Sequence, residues 1–154
     1  MDRPVIRPCV VADAPAIGLL IRQLLEVAVP PERLTAVELL AETAGRLLRD
    51  GKMVAWLAES EGRPVGLITA TTVHAIYARG AFGEINEVYV EPDFRATGLA
   101  PRLIETVRAH GRTQGWSRIQ LSAPQAGTAG AERAYAFYAR LGFGDVGPTF
   151  MVPL

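Results

Sequence analysis

Apolar and polar positions alternate along this chain in two distinct periods. From Val5 to Val11 the residues read as a strand. Beyond it Ile17, Leu20, Ile21, Leu24 and Leu25 recur at helical spacing, with Asp13 placed to cap the helix. That helix is predicted to end before Pro30-Pro31. Thr35 and Glu38 then form a Thr-x-x-Glu capping pattern ahead of Leu40, Ala44, Leu47 and Leu48, predicting a second amphipathic helix that stops near Asp50-Gly51. Met53 to Ala58 and Val65 to Thr72 are apolar, β-prone runs. The turn-forming residues Glu59 to Pro64 join them, so an antiparallel hairpin is expected.

The stretch from Val73 to Gly83 is looser in pattern. After it come a strand from Glu84 to Val90, a helix from about Gly98 to Gln114, and a strand from Ser117 to Ser122 in which Ile119 and Leu121 alternate with polar neighbours. Pro101 falls in the first turn of that helix, where its missing N–H costs nothing. Leu99, Leu103, Ile104 and Val107 form its inner face, and Gly115 ends it. A strand-helix-strand unit of this kind has parallel strands, crosses over right-handed and places a ligand at the carboxyl ends of the strands. The earlier strands pair antiparallel, so the expected fold is α/β (α+β) with a mixed sheet. A Gly/Ala-rich loop from Pro124 to Gly130, a last helix from about Ala131 to Leu141 and a terminal strand around Thr149 to Val152 complete the pattern.

Composition narrows the class. A chain of 154 residues with 49% hydrophobic content is expected to be one domain, 1–154, with room for a real core. Sixteen basic and sixteen acidic residues give a formal charge of zero, which leaves no electrostatic footprint for nucleic acid or an anionic membrane. The lone Cys9 rules out an intrachain disulfide. With no secretory leader pattern and no apolar run of the ~20 residues needed to span a bilayer, a cytoplasmic location is expected.

The chemistry concentrates in Val88 to Ala100. A β-branched strand ends at Pro92, and Arg95-x-x-Gly98-x-Ala100 opens a helix. A strand feeding a helix N-terminus aims unpaired backbone N–H groups and the positive end of the helix dipole at one point, which suits an anion. Gly98 lets a ligand approach the backbone, Ala100 keeps the next turn open, and Arg95 adds a permanent positive charge. The short pattern alone fits an ordinary strand-turn-helix junction as well as a phosphate site.

Together with a second motif this segment resembles the GCN5-related N-acetyltransferase (GNAT) superfamily. Arg95, Gly98 and Ala100 match that family's pyrophosphate-binding pattern. Ala134 to Phe143, with Phe137-Tyr138 and Leu141-Gly142-Phe143, is similar to its aromatic-Tyr helix. Val5-Ile6-Arg7-Pro8 followed by Asp13 to Ile17 resembles its first strand and helix, so the resemblance spans almost the whole chain. It implies a mostly antiparallel central sheet with a parallel strand pair splayed at the cofactor site and helices on both faces. It implies acetyl-CoA as cofactor, held by the backbone of Val88, Tyr89 and Val90 and by the loop Arg95, Ala96, Thr97, Gly98, Leu99 and Ala100. An extended pantetheine arm on an open strand edge is bound as in β-augmentation, by main-chain hydrogen bonds.

Acetyl transfer from a thioester to an amine needs a neutral amine and a protonated leaving thiolate. An alkylammonium with a pKa of about 10.4 is scarcely nucleophilic at neutral pH without a base. Glu84, Glu87 and Glu91 lie on or beside the central strand, and strand parity sets Glu87 opposite Val88 and Val90. The resemblance makes Glu87 the first choice for base, acting through water; a structural carboxylate is the alternative. It likewise makes Tyr138 the acid, whereas the stripe Ala134, Phe137, Tyr138 and Leu141 by itself suits a core tyrosine. Many relatives carry Asn where this chain has Ala131.

Cys9 reads as a buried small hydrophobe, His74 as a residue able to line an acceptor pocket, and His110 as a helix-surface histidine. No dinucleotide, Walker, zincin or Cys-x-x-Cys motif is present, so nicotinamide, nucleotide and metal chemistry lack support. Two readings follow: an acetyl-CoA-dependent N-acetyltransferase acting on a small-molecule or peptide primary amine, or a CoA-binding or protein-interaction module without turnover. The acceptor is not legible around Ala28 to Val37 or Val73 to Gly83. A homodimer is compatible with the resemblance.

Overall fold

The computed structural model describes residues 2–154. The elements run β1 (Val5–Pro8), α1 (Ala14–Ala28), α2 (Val37–Arg49), β2 (Val54–Ser60), β3 (Arg63–Ala75), β4 (Gly80–Val90), α3 (Leu99–Gln114), β5 (Ile119–Leu121) and α4 (Ala131–Arg140). The five strands form one sheet in the order β1-β2-β3-β4-β5. β1 to β4 pair antiparallel, and β4 with β5 is the one parallel pair. The chain divides into two compact units, one running to Ile119 and one from Gln120 to Leu154.

In the first unit both faces of the sheet are covered. Ala55, Leu57, Leu67 and Tyr89 pack with Ala14, Ile17 and Leu20 of α1 and Ala44 of α2. The helices cross tightly because Gly18 has no side chain: a Cβ there would lie 2.9 Å from the Ala41 nitrogen. On the opposite face α3 lies against the sheet, with a Cβ built on Gly66 only 3.3 Å from Leu99 Cδ2 and His110 meeting the Trp56 ring.

Several element boundaries differ from the sequence pattern for local reasons. β1 stops at Pro8 because the chain turns at Val10, whose N–H donates to the Asp13 carboxylate at 2.7 Å. Asp13 also takes both Arg7 terminal nitrogens at 2.9 Å, so its side chain does not cap α1. The Thr35 box does not form either: α2 begins at Val37 with Ala36 as its extended N-cap, and no side chain caps it. The segment from Val73 to Gly83 is a continuation of both strands around a tight turn, with Arg79 N donating to Ile76 O at 2.9 Å. Its apolar residues follow no clean alternation, and Ile76 and Tyr77 stand exposed at the turn, so the run does not read as a strand.

In the second unit α4 is followed by residues 143–154, which adopt no helix or strand, and the terminal strand expected around Thr149 is absent. Gly147 N closes a turn on the Asp145 carboxylate at 2.8 Å. Pro148 and Pro153, which lack N–H donors, bracket the β-prone residues. Among the described residues no helix is long and apolar enough to cross a membrane.

Candidate active site

β4 ends at Val90, a short 3-10 turn spans Pro92–Phe94, and the exposed loop from Arg95 to Gly98 leads into α3. Phe94 anchors the turn in the core, and Thr97 Oγ1 donates to its carbonyl at 2.5 Å. Ala96 and Gly98 both hold left-handed backbone, φ 59° and 83°, and a Cβ on Gly98 would meet nothing within 4 Å. The first intrahelical bond runs from Arg102 N to Gly98 O at 3.4 Å. Pro101 has no N–H, so the unpaired first-turn donors are the amides of Leu99 and Ala100. An open approach, two orphan amides and a guanidinium suit a pyrophosphate. Arg95 is partly committed: its Nε donates to the Val90 carbonyl at 3.0 Å, leaving its terminal nitrogens for an anion.

The strand edge follows from the β3–β4 register. Glu91 N donates to Val65 O at 2.9 Å, with Gly66 opposite Val90 and Leu67 opposite Tyr89. Hydrogen-bonded pairs alternate in an antiparallel ladder, so Tyr89 directs its polar groups to β3, whereas Val88 and Val90 direct theirs away from it. Of these outward groups the Val90 carbonyl is the one taken by Arg95.

A β-bulge reshapes the middle of the strand. Thr69 faces Glu87 while Ala70 faces Ile85, which leaves Asn86 as the extra residue. Glu84 faces Thr71, and Thr69 and Thr71 share one face of β3, so Glu84 and Glu87 lie on one face despite their spacing of three. Leu67 marks this as the face of α1 and α2. The Glu87 carboxylate accepts from Thr69 Oγ1, and the Glu87 N–H donates to the same hydroxyl at 3.2 Å.

In the second unit Tyr138 sits on α4 with its ring edge-on to Phe137 at 5.2 Å and to Phe143 at 5.7 Å. Burial raises its phenol above the ordinary range, because desolvation penalises the phenolate. Ala131, the first residue of α4, is buried, and its methyl offers no polar contact.

The Acetyltransferase (GNAT) family matches residues 20–143. This chain belongs to that family. It is 33% identical over 95 residues to N-acetyltransferase 8 of Homo sapiens, covering 62% of this chain and 40% of that protein. It is 42% identical over 91 residues to the mycothiol acetyltransferase of Thermobispora bispora, covering 57% of this chain and 29% of that protein. The chain therefore matches well under half the length of either relative. Its fold is shared with a predicted acetyltransferase from Clostridium acetobutylicum solved with acetyl-CoA, at a TM-score of 0.80 and 18% identity over 98% of this chain and 96% of that one.

Within the first unit of this GNAT chain, then, the loop from Arg95 to Ala100 and the outward edge at Val88 and Val90 adjoin, and Glu87 lies in the same strand. Thr69 was not singled out from the sequence; the available signal was a hydroxyl inside the otherwise apolar buried run Val65 to Ala70. Other side chains stand apart from this arrangement. Burial pushes the Cys9 thiol up to about 12, far from a thiolate nucleophile at neutral pH. His110 packs between Trp56 and Trp116 on the α3 face, and His74 is exposed near the end of β3. Among the described residues no group of three or more His, Cys, Asp or Glu could hold a metal ion.

Proposed function

We propose that this GNAT protein transfers the acetyl group of acetyl-CoA to a primary amine by direct attack in a ternary complex. The observation that carries this reading is the exposed loop from Arg95 to Gly98 with the orphan amides of Leu99 and Ala100 behind it, a donor set fitted to a pyrophosphate. Val88 and the Val90 N–H offer strand-edge hydrogen bonds to an extended amide-bearing arm. Glu87, through a water, takes the proton of the attacking amine. The amine nitrogen bonds to the thioester carbonyl carbon, the C–S bond breaks, and the sulfur leaves with its electron pair. Tyr138 supplies the proton that makes it a thiol, and its raised pKa keeps that proton in place at neutral pH. Products are an N-acetyl amide and free coenzyme A.

Acetyl-CoA titration followed by melting temperature tests this first. Ligand at 100 times its dissociation constant adds about 2.7 kcal/mol of stability. A saturable rise that Arg95→Glu abolishes, followed by amine-dependent thiol release, supports the reading. No shift at millimolar acetyl-CoA overturns it and makes the loop structural.

A further inference from the structure

We propose that Thr69 is a positioning residue that fixes the carboxylate of Glu87 for its work as base. This inference rests on the role proposed above for Glu87. The run Val65 to Ala70 is buried throughout, and Thr69, 1% exposed, carries its only polar side chain. A buried hydroxyl offers one donor and accepts through its lone pairs, and leaving these unmade is costly. Thr69 uses both capacities on one residue: it donates to Glu87 Oε2 and accepts from the Glu87 N–H at 3.2 Å.

A bulge lies beside this hydroxyl. By the alternation that pairs Val65 with Glu91 and Leu67 with Tyr89, Glu87 N–H would be aimed at the backbone carbonyl of Thr69. The extra residue Asn86 shifts the register at that point, and the Glu87 N–H reaches the Thr69 hydroxyl. The same oxygen holds Oε2, so one side chain beside the bulge meets both the backbone N–H and the carboxylate of Glu87 and sets the direction of the carboxylate. Oε1 is left for a water or an amine. A glutamate has several rotatable bonds, and a base held at one angle spends less of its time out of reach of the proton it must take.

The test compares Thr69→Val, which keeps the shape and removes the hydroxyl, with Thr69→Ser, which keeps the hydroxyl, in thiol-release assays on acetyl-CoA with n-butylamine as the acceptor probe. Thr69→Val is expected to lower kcat on the order of tenfold or more, with the acetyl-CoA melting shift retained and Thr69→Ser restoring the rate. In a Glu87→Ala background Thr69→Val should add nothing, since the two act as a unit. An unchanged kcat in Thr69→Val alongside a loss in Glu87→Gln overturns the positioning role alone. Full activity in Glu87→Gln removes the base reading and this inference with it. If n-butylamine is not turned over, side-chain NMR of Glu87 in the free protein decides. One fixed rotamer that becomes averaged in Thr69→Val and returns in Thr69→Ser supports the role, and no change in Thr69→Val overturns it.

Discussion

The backbone N–H of Phe143 donates to the carbonyl of Tyr138 at 3.0 Å, and the two rings meet edge-on 5.7 Å apart. With Gly142 N donating to Ala139 O at 3.0 Å and Gly142 at φ 89°, this is a complete Schellman stop. The hydrophobic contact that accompanies such a stop is here the contact that braces the tyrosine ring. Gly142→Ala places a Cβ in left-handed backbone and is expected to cost about 1–2 kcal/mol, read from urea unfolding. Phe143→Ala keeps the backbone turn and removes the brace; kcat is expected to fall while the acetyl-CoA melting shift stays.

Tyr138→Phe isolates the hydroxyl. Turnover should drop by roughly 100-fold, within the range for loss of a general acid, and cofactor affinity should hold. Equal kcat in the two proteins would make Tyr138 packing only. Because burial raises the folded-state phenol, the unfolded chain loses that proton first as pH climbs past about 10. The contribution of this group to stability is complete below that pH and is lost above it, which alkaline denaturation of wild type against Tyr138→Phe will show.

Trp116 needs two glycines. A Cβ on Gly83 would lie 2.2 Å from Trp116 Cζ3, and one on Gly111 would lie 2.7 Å from Cε3. The indole is rigid and also touches His110, so it cannot swing aside cheaply. Gly83→Ala is therefore expected to destabilise by about 1–3 kcal/mol through overpacking, measured by urea unfolding with tryptophan fluorescence as the probe.

His110 predicts an acid sensitivity. Packed edge-on to Trp56 at 5.2 Å and Trp116 at 5.3 Å, it has a lowered pKa because burial disfavours the imidazolium. The unfolded chain takes up a proton first as pH falls below about 6.5, so stability is full above that value and declines below it. His110→Phe should flatten the decline in a melting series between about pH 7 and pH 5.

The expectation of a mixed sheet was readable because long periodic stretches signal their own element, while helices on both faces followed from the family resemblance. The stripes of α1 and α3 and the apolar runs of β2 and β3 all stand where periodicity places them. Ends were less legible. Thr35-x-x-Glu38 has the letters of a capping box, but the helix starts at Val37, and Arg22 Nη1 takes the Thr35 carbonyl at 3.0 Å instead. Thr149 to Val152 has strand composition, yet a β-prone run becomes a strand only when a ladder accepts it.

By itself the sequence determined most of the helices and strands, the family, and the Arg95-x-x-Gly98-x-Ala100 motif, because each depends on local periodicity or on side-chain chemistry within a few residues. Only the tertiary structure decided that Asn86 bulges, that Glu84 and Glu87 therefore share a face, that Arg95 is tied to the Val90 carbonyl, and that Thr69 holds Glu87. Strand parity assumes an unbroken period of two. The register between β3 and β4 breaks it by one residue, and that register is set by how two distant segments pair, which no single strand carries in its own letters.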